Sequence, residues 1–321
     1  MASATTSVRV DGLVLLRILR HCHGYSNEAP MDICSGVLQG MINGSVLEVT
    51  DCFAAPMESE EDESDETMEY SEQMLRLVRE VNSDHVQVGW YISSLERSPF
   101  SRMIMESQYQ YQRSLSHEHS ILLLYNPMET LQGRLSLEAY RLSSKAMEVM
   151  NEGTFTEKSL HDHKLSWSSM FEQVPLELHR STLANSLLLE LSSSGAVEPP
   201  HEFLTVGGGS QLETCMRLMM DTVDDASQDI NRYSQFLKQQ QRQQQQISAY
   251  KMRRQQENAA RQQRGEAPLP DEDLDKIFKP MQAPQRLDGL IISQQLSSYG
   301  KQLKDVASSN LSKLLVLKSM Q

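Results

Sequence analysis

The sequence predicts an α/β domain followed by a C-terminal region of long helices. Up to residue 142, short apolar runs typical of strands alternate with amphipathic segments typical of helices. From residue 212 onwards, apolar residues instead recur at every third or fourth position, which is typical of a helix with one apolar seam. The hydrophobic content of 39% is enough for a core but slightly below the globular average, so part of the chain should be extended or polar.

Helix and strand patterns alternate through the predicted α/β domain, 8–142. A helix is predicted at 13–22, because its apolar residues share one face. Strands at 33–42 and 46–53 are joined by Asn43-Gly44-Ser45, and Asn-Gly between apolar runs is a strong hairpin signal. The remaining predicted elements are a helix at 68–81, a strand at 86–91, a helix near 101–115, and strands at 121–125 and 135–142.

The segments around these elements have less regular patterns. Residues 1–7 are predicted to be a flexible N-terminus. Residues 58–72 hold nine acids and are predicted to form a solvated loop, since like charges repel and apolar residues are scarce. Residues 143–205 are predicted to extend the α/β domain and to include a leucine-rich helix at 182–191. Val206-Gly207-Gly208-Gly209-Ser210 is predicted to be a flexible joint.

The C-terminal region is predicted to contain two helices, at 206–264 and 286–321, separated by a proline-containing linker at 265–285. The first carries an unbroken heptad seam formed by Leu212, Met216, Met219, Val223, Ala226, Ile230, Tyr233 and Leu237. The second carries a stripe formed by Ile292, Leu296, Tyr299, Leu303 and Val306. An apolar seam on a long helix needs an apolar surface to cover it, so both sets are predicted to contact partner helices.

The net charge of −13 is distributed unevenly along the chain. Between 238 and 264 there are seven basic residues and a single acid, in a glutamine-rich context. The candidate contacts to RNA or to an acidic partner are Arg242, Lys251, Arg253, Arg254, Arg261 and Arg264. The segment could be disordered, a solvent-spanning polar helix, or an RNA-binding arm. The polar helix is favoured, because Tyr250 is the segment's only aromatic residue for stacking on bases.

Cysteine usage and hydropathy indicate a cytoplasmic protein without a membrane segment. The four cysteines are scattered with no Cys-x-x-Cys pair, which fits a reduced compartment. No segment approaches the length needed to cross a bilayer. Three His-x-His pairs are interpreted as ordinary surface histidines rather than metal ligands. These pairs are His21/His23, His117/His119 and His161/His163.

The segment Gly89-Trp90-Tyr91-Ile92-Ser93-Ser94, which follows an apolar strand, resembles the MPN domain, the fold of the zinc-dependent JAMM isopeptidases. In active members the Gly-Trp-Tyr precedes His-Ser/Thr-His, and an aspartate follows at a fixed spacing. The resemblance implies that Ile92, Ser94 and Met105 occupy the positions of the three zinc ligands. The family's glutamate base precedes a Gly-x-x-x-Gly, here 36–40, which implies that Ile33 or the adjacent Asp32 takes its place.

The side chains at these positions do not suit a catalytic zinc. Such a zinc needs about three imidazole or carboxylate ligands and an open position for water. Isoleucine has no donor atom, a neutral serine hydroxyl is a poor ligand, and a methionine thioether is too soft for this role. The sequence therefore predicts a JAMM-like fold without metal, cofactor or catalytic residues.

Further motifs refine the resemblance within the MPN family. They are Ser107-Gln108-Tyr109-Gln110-Tyr111-Gln112, Arg253-Arg254-Gln255-Gln256-Glu257-Asn258 and the segment from Arg264 to Leu274 that contains Leu269-Pro270. Together they resemble the h subunits of eukaryotic translation initiation factor 3. That resemblance implies a non-enzymatic subunit supporting 43S pre-initiation complex assembly, mRNA recruitment and scanning. Its implied partners are the other MPN subunit (f), neighbouring PCI-domain subunits and, through the complex, the small ribosomal subunit.

Other functions remain as alternatives at this stage. A scaffold subunit of the proteasome lid or signalosome would share the fold and would associate with different proteins. A free RNA-binding protein would bind RNA alone with strong salt dependence. A zinc isopeptidase disagrees with the residues at each implied ligand position.

Overall fold

The computed structural model has an α/β domain built on one sheet and two long helices that pack on each other and on that domain. The residues that it describes are 5–24, 33–55, 64–81, 86–94, 100–115, 119–131, 134–193, 209–263, 278, 281 and 283–320.

Eight strands form a single mixed sheet in the order β7-β6-β5-β4-β2-β3-β1-β8. The strands are β1 Ser7–Asp11, β2 Ile33–Asn43, β3 Val46–Ala54, β4 Val86–Ser94, β5 Ile121–Asn126, β6 Ser136–Leu142, β7 Phe171–Val174 and β8 Leu176–His179. The pairs β1–β3, β1–β8 and β4–β5 are parallel, and the other four are antiparallel. The strand order places β4 and β5 near the middle of the sheet, where both faces can be covered.

The described helices flank this sheet and then continue beyond it. They are α1 Gly12–His23, α2 Ser64–Val81, α3 Arg102–Ser114, α4 Pro127–Leu131, α5 Ser144–Glu152, α6 Glu157–Asp162, α7 Thr182–Ser193, α8 Gly209–Gln263 and α9 Leu287–Met320. A single 3₁₀ turn, Trp167–Ser169, precedes β7. Helix α3 begins where Ser101 Oγ accepts a hydrogen bond from Ile104 N at 3.3 Å, as expected of an N-cap.

The two faces of the sheet carry separate apolar cores. The first core lies under α1, which contributes Val14, Ile18 and Cys22. The second core lies on the opposite face, where Trp90 and Leu122 of the sheet meet residues of α3, α5 and the start of α9. Because α9 enters the second core through Leu287 and Ile291, the C-terminal region is anchored to the α/β domain.

The main predicted elements are confirmed. Helix α1 and the β2–β3 hairpin match the predictions at 13–22, 33–42 and 46–53, and Gly44 in the turn has φ +63°. Helices α3, α7, α8 and α9 also lie where periodicity predicts them. Strand β4 runs three residues further than predicted, to Ser94.

The structure corrects the prediction that residues 1–7 form a flexible end, as far as it describes them. Thr5 is buried, and its carbonyl accepts a hydrogen bond from Arg141 Nη1 at 3.0 Å. Ser7 already belongs to β1, which pairs with two strands. Pairing with β3 and β8 orders this segment. Because both strands lie far away in sequence, no local pattern predicts that order.

Two predicted loops are partly helical. Helix α2 begins at Ser64, so the second half of the acidic run 58–72 is helical, while 58–63 lie outside the described residues. Helix α8 begins at Gly209, within the predicted joint, of which 206–208 are outside the described residues.

The predicted division at residue 142 does not divide the sheet. Strands β7 and β8 belong to it, and β8 pairs with β1 at the far edge. The predicted linker 265–285 is described only at 278, 281 and 283–285. Its Phe278 ring meets the Tyr250 ring of α8 at a centroid distance of 5.9 Å.

Candidate functional site

The Gly-Trp-Tyr segment lies in the middle of β4 and is tightly enclosed. A Cβ added at Gly89 would lie 2.1 Å from the Ile121 carbonyl oxygen of β5, so only glycine fits at this position. The Trp90 indole Nε1 donates a hydrogen bond to Gln108 Oε1 at 2.8 Å, and its ring stacks on Tyr111. The segment is thus fixed by β5 on one side and by α3 on the other.

Two of the implied zinc-ligand positions lie in an apolar environment. Met105 of α3 is 1% exposed and belongs to the second core, against which the half-buried Ile92 packs. Ile33 and Ser94 are register partners across β2 and β4, two residues from the Ser35–Ile92 pair. Asp32 lies outside the described residues. The assignment of these positions stays a prediction, and the surroundings of Met105 and Ile92 are those of a hydrophobic core.

The polar groups next to this position form a closed hydrogen-bonded network. Gln108 Nε2 donates to Gln112 Oε1 and to the Ser120 carbonyl, each at 3.3 Å. Gln112 in turn donates to the Leu142 carbonyl at 3.2 Å and accepts from Leu142 N at 2.9 Å. Buried amides satisfied in this way stabilise a unique packing. Because neutral amides are poor proton acceptors, this network does not provide a general base.

The residues at this position do not fit a zinc ion. Within the described parts of the chain, no cluster of three or more His, Cys, Asp or Glu side chains could hold a metal. Ile92 offers no donor atom and Met105 offers only a thioether. No step of hydrolysis can be derived from these side chains.

The opposite face of the sheet holds polar contacts that the sequence did not reveal. His21 Nδ1 lies 2.9 Å from the Tyr91 hydroxyl, and His23 Nε2 lies 3.3 Å from the Tyr125 hydroxyl. The interpretation of this pair as ordinary surface histidines is wrong, since both rings contact tyrosines of the first core. Burial lowers the pKa of His21 and raises the pKa of Tyr125 to about 12. These contacts hold α1 on the sheet.

One histidine of each remaining pair, His119 and His163, has side-chain partners within the fold. His119 Nδ1 lies 2.8 Å from Thr5 Oγ1, while His117 is outside the described residues. His163 contacts two glutamates, with Nδ1 3.3 Å from Glu148 and Nε2 3.0 Å from Glu152. His163 therefore belongs to a local ion-pair cluster between α5 and the end of α6.

Cysteines behave as the sequence predicts. All four are free and buried, and three of them, Cys22, Cys34 and Cys52, lie in the first core. Burial raises the pKa of Cys52 to about 12. A side-chain hydrogen bond from Cys22 lowers the pKa of Cys34 and raises that of Cys22.

The two long helices form an antiparallel pair. Cys215 Sγ of α8 lies 3.7 Å from the Tyr299 carbonyl of α9, and further along Asp229 lies 3.5 Å from Arg286, just before α9 begins. At the second point, a Cβ added at Gly289 would meet the Asp229 carboxylate at 2.9 Å. The pairing therefore covers the first half of α8, and the residues of α8 beyond about 237 extend past the start of α9.

The predicted heptad seam of α8 is split into two faces. Ala226 and Tyr233 are half-buried beside the start of α9, and Leu212 and Met219 are half-buried as well. The other four residues are 45–64% exposed and lie seven residues apart. They are Met216, Val223, Ile230 and Leu237, called here the exposed α8 stripe.

The structure corrects the prediction for α9. Tyr299 and Val306 are buried within the chain, and Ile292, Leu296 and Leu303 are half-buried. The helix folds back along α8 and onto the second core, so its stripe is used largely inside the chain. The exposed apolar part of α9 is its last three turns, with Leu311, Leu314, Leu315, Val316 and Leu317.

The predicted basic residues lie on the second half of α8. Arg242, Lys251 and Arg253 are exposed, whereas Arg254 and Arg261 are half-buried. The Arg254 guanidinium lies 5.9 Å from the centre of the Tyr250 ring. Arg264 lies outside the described residues. The favoured prediction of a polar helix is confirmed up to Gln263.

A junction between the helices and the α/β domain has no local signature in the sequence. The Arg286 guanidinium lies 4.0 Å from the centre of the Tyr233 ring, and Arg286 N donates to the Phe155 carbonyl at 2.9 Å. The Tyr233 hydroxyl donates to the carboxylate of Glu157 in α6. These residues are too far apart in sequence for any local pattern to connect them.

Two family models match this chain. The model described as "JAB1/Mov34/MPN/PAD-1 ubiquitin protease" matches residues 3–117, and the model described as "C-terminal region of eIF3h" matches residues 130–321.

None of the described helices is long and apolar enough to span a membrane.

Similar proteins match almost the whole chain. The H-B subunit of eukaryotic translation initiation factor 3 from Danio rerio is 41% identical over 315 residues, which cover 98% of this chain and 93% of that protein. The H subunit of the same factor from Salmo salar is 41% identical over 320 residues, covering 99% and 92%. The H subunit from Culex quinquefasciatus is 36% identical over 316 residues, covering 98% and 92%. The chain therefore belongs to the family of H subunits of eukaryotic translation initiation factor 3.

Proposed function

We propose that this chain is a non-catalytic structural subunit of the translation initiation factor 3 complex. In that role it supports 43S pre-initiation complex assembly, mRNA recruitment and scanning. The relatives are named as subunits of this factor. Their names therefore support this role over a scaffold role in the proteasome lid or signalosome.

The exposed α8 stripe is the observation that carries this proposal. Met216, Val223, Ile230 and Leu237 lie on one side of a helix whose other side is already covered by α9. Apolar side chains repeating every seven residues on a rigid helix suit a second helix, which would remove them from water. A chain with this surface therefore fits a place in a helical assembly.

The non-catalytic part of the proposal is supported by the second core. The resemblance assigns Ile92 and Met105 to zinc-ligand positions of the JAMM fold, both lie in or against the second core, and neither side chain can bind zinc in a way that activates water. A purified chain should hold no stoichiometric zinc and should leave ubiquitin chains intact. One tightly bound zinc per chain, together with chelator-sensitive cleavage, would contradict this.

The partners proposed for the two regions differ. The α/β domain would pair with the other MPN subunit of the factor, the f subunit. The α8 stripe and the end of α9 would contact helices of PCI-domain subunits. The small ribosomal subunit would be reached through the complex, which places the protein in the cytoplasm.

The assembly is tested by co-purification of the tagged full-length chain followed by mass spectrometry. Met216→Glu with Val223→Glu would place two charges in the proposed helix interface. An unpaired buried charge costs several kcal/mol, so recovery of the other subunits should fall by more than about tenfold. Both positions are exposed in the free chain, so the variant should remain folded.

Gln228→Glu with Gln235→Glu, spaced seven residues apart like the stripe variant, is the matched control. It adds the same two charges to the same helix, outside the stripe and at exposed positions. This control should recover the factor as the parent does. Equal recovery by the stripe variant, or capture of proteasome-lid or signalosome subunits by the parent, would overturn the proposal.

A further inference from the structure

The second half of α8 continues beyond the point at which α9 begins, and Phe278 of the linker packs on its Tyr250. Helix α9 begins at Leu287 beside Asp229, so residues 238–263 extend beyond the helix pair. This segment, called here the distal arm, has 26 residues and a length of about 39 Å at the rise of an α-helix. It is a rod whose surface is largely open to water.

The outward charge of the distal arm is strongly positive. Lys238, Arg242, Lys251 and Arg253 are exposed, and Glu257 is the single acid in the arm. Among the residues that the structure describes, no carboxylate lies within ion-pair distance of these four side chains. The arm stands out from a chain whose net charge is −13. A polyanion would therefore be attracted to the arm and repelled by most of the remaining surface.

The side chains between these charges suit a phosphate backbone better than a folded protein. Most exposed neighbours are glutamines, such as Gln244 and Gln255, whose amides can donate hydrogen bonds to phosphate or ribose oxygens. Protein interfaces depend on buried aromatic or aliphatic anchors, and Met252 is the arm's one large exposed apolar side chain among those described. Tyr250 is half-buried and meets Phe278, so it is not presented for stacking on bases.

We propose that the distal arm binds the phosphate backbone of RNA directly, through Lys238, Arg242, Lys251 and Arg253, without reading its sequence. This interaction goes beyond the proposed assembly role, because it needs no other subunit. The absence of presented aromatic rings among the arm's described residues predicts equal affinity for unrelated RNA sequences. The exposed charges predict binding that weakens steeply with salt.

The test is fluorescence anisotropy of fluorescein-labelled RNA stem-loops titrated with the purified full-length chain. Four phosphate contacts predict a log–log salt slope of about −3, so affinity should fall about 50-fold between about 50 and 200 mM salt. Changing all four basic residues to glutamine should reduce the slope to near zero and weaken binding at low salt at least about tenfold. Glutamine is a good helix former, so the helix should persist.

The control is a variant with the same loss of charge elsewhere, Arg76→Gln, Arg113→Gln, Lys145→Gln and Lys304→Gln, all at exposed positions. It should bind RNA like the parent. Equal RNA binding by the arm variant, or no binding by the parent at low salt, would overturn the proposal. So would tighter binding of polyglutamate than of RNA at equal charge, which would indicate an acidic protein partner. Each of these failures concerns the isolated chain and leaves membership in the factor to be judged by co-purification.

Discussion

The sheet around β4 and the helix α8 use apolar residues in opposite ways. In β4 and its surroundings, Trp90, Met105 and Leu122 are buried, and the backbone approaches so closely that Gly89 admits no side chain. In α8, four apolar residues at heptad spacing remain about half exposed on a helix that is paired on one side only. The first region has completed its packing within the chain, whereas the second still has an apolar face to cover.

This difference separates the residues that hold the sheet together from those that are available to a partner. Met105 lies in the second core and Ile92 packs against it, so these two side chains contribute to the stability of the domain. The surfaces that remain available for function are those on the long helices. Mutations in the two regions should therefore separate cleanly, with stability affected in the sheet and association affected in the helices.

The largest expected difference in stability is between two glycine-to-alanine variants, one in the sheet and one in the long helices. Gly89→Ala would place its Cβ 2.1 Å from a backbone oxygen of β5, which cannot move without breaking the β4–β5 pairing. The free energy of unfolding should fall by at least about 3 kcal/mol. The measurement is urea denaturation followed by tryptophan fluorescence, to which the buried Trp90 and the exposed Trp167 both contribute.

The matched change in the helices is Gly300→Ala in α9, where nothing lies within 4 Å of the added Cβ. Alanine should stabilise the helix by about 0.5–1 kcal/mol. If both variants showed the same urea midpoint, the contrast between the closed sheet and the open helices would be wrong.

The second comparison introduces a carboxylate into each region. Met105→Asp restores the residue type that the JAMM fold has at this position, but in a site that is 1% exposed. Losing the methionine packing and burying a carboxyl group should cost about 3–5 kcal/mol. The same change at the exposed Val223 should cost less than about 0.5–1 kcal/mol.

Thermal unfolding of the two carboxylate variants measures this difference directly. Equal destabilisation at both positions would mean that Val223 is part of the chain's own core. An undisturbed Met105→Asp variant that binds zinc would show that the former metal position is still available.

The architecture was largely predictable from the sequence, because periodicity and turn residues are local signals. The Asn-Gly turn of the β2–β3 hairpin and the heptad spacing of α8 each need only a short window. Strands β7 and β8 have four residues each, too few for an alternating pattern to be recognised, and so the extent of the sheet was missed. That Thr5 has a fixed, buried position was missed for a related reason. Its position depends on contacts with Arg141 and His119, which lie far along the chain.

The candidate site was predictable in its positions and not in its surroundings. The Gly-Trp-Tyr motif led to the assignment of Ile92 and Met105, and the sequence did not show that Met105 lies in, and Ile92 against, the second core. The heptad seam, by contrast, could not show which of its residues α9 would cover. Which seam residues α9 covers depends on where α9 begins on α8. Arg286 and Tyr233 fix that position, and Tyr233 also contacts Glu157 of α6.

A smaller effect is expected from removing one hydrogen bond in each region. Trp90→Phe leaves Gln108 Oε1 without the indole donor in a buried network, which should cost about 1–3 kcal/mol. Tyr233→Phe removes a solvent-exposed hydrogen bond to Glu157 and retains the ring under Arg286, so its cost should be within about 0.5 kcal/mol. Urea denaturation of both variants, followed by circular dichroism, is the measurement. A larger loss for Tyr233→Phe would show that the junction of α8 with α6 matters more than the buried network.

The smallest expected effect is a pH dependence confined to the α5–α6 corner of the α/β domain. Hydrogen bonding to Glu152 raises the pKa of His163 above its ordinary value of 6.5, and hydrogen bonding to His163 lowers the pKa of Glu152 below 4.5. The protonated imidazole is therefore favoured in the folded state. Its contribution is fully present below pH 6.5 and is lost as the pH rises through the raised pKa of the folded state. The contribution of Glu152 has the opposite sign, being present above pH 4.5 and lost as the pH falls through its lowered pKa.

The pair should thus stabilise the domain most between these two limits. His163→Gln retains hydrogen-bonding groups and cannot take a charge. We expect its urea midpoint to lie below that of the parent at about pH 5.5 and to converge on the parent at about pH 8.5. His161→Gln, at an exposed position two residues away, is the control and should follow the parent at both pH values. A gap between His163→Gln and the parent that stayed constant with pH would mean that His163 acts through packing, because only an ionic contribution disappears when the imidazole loses its proton.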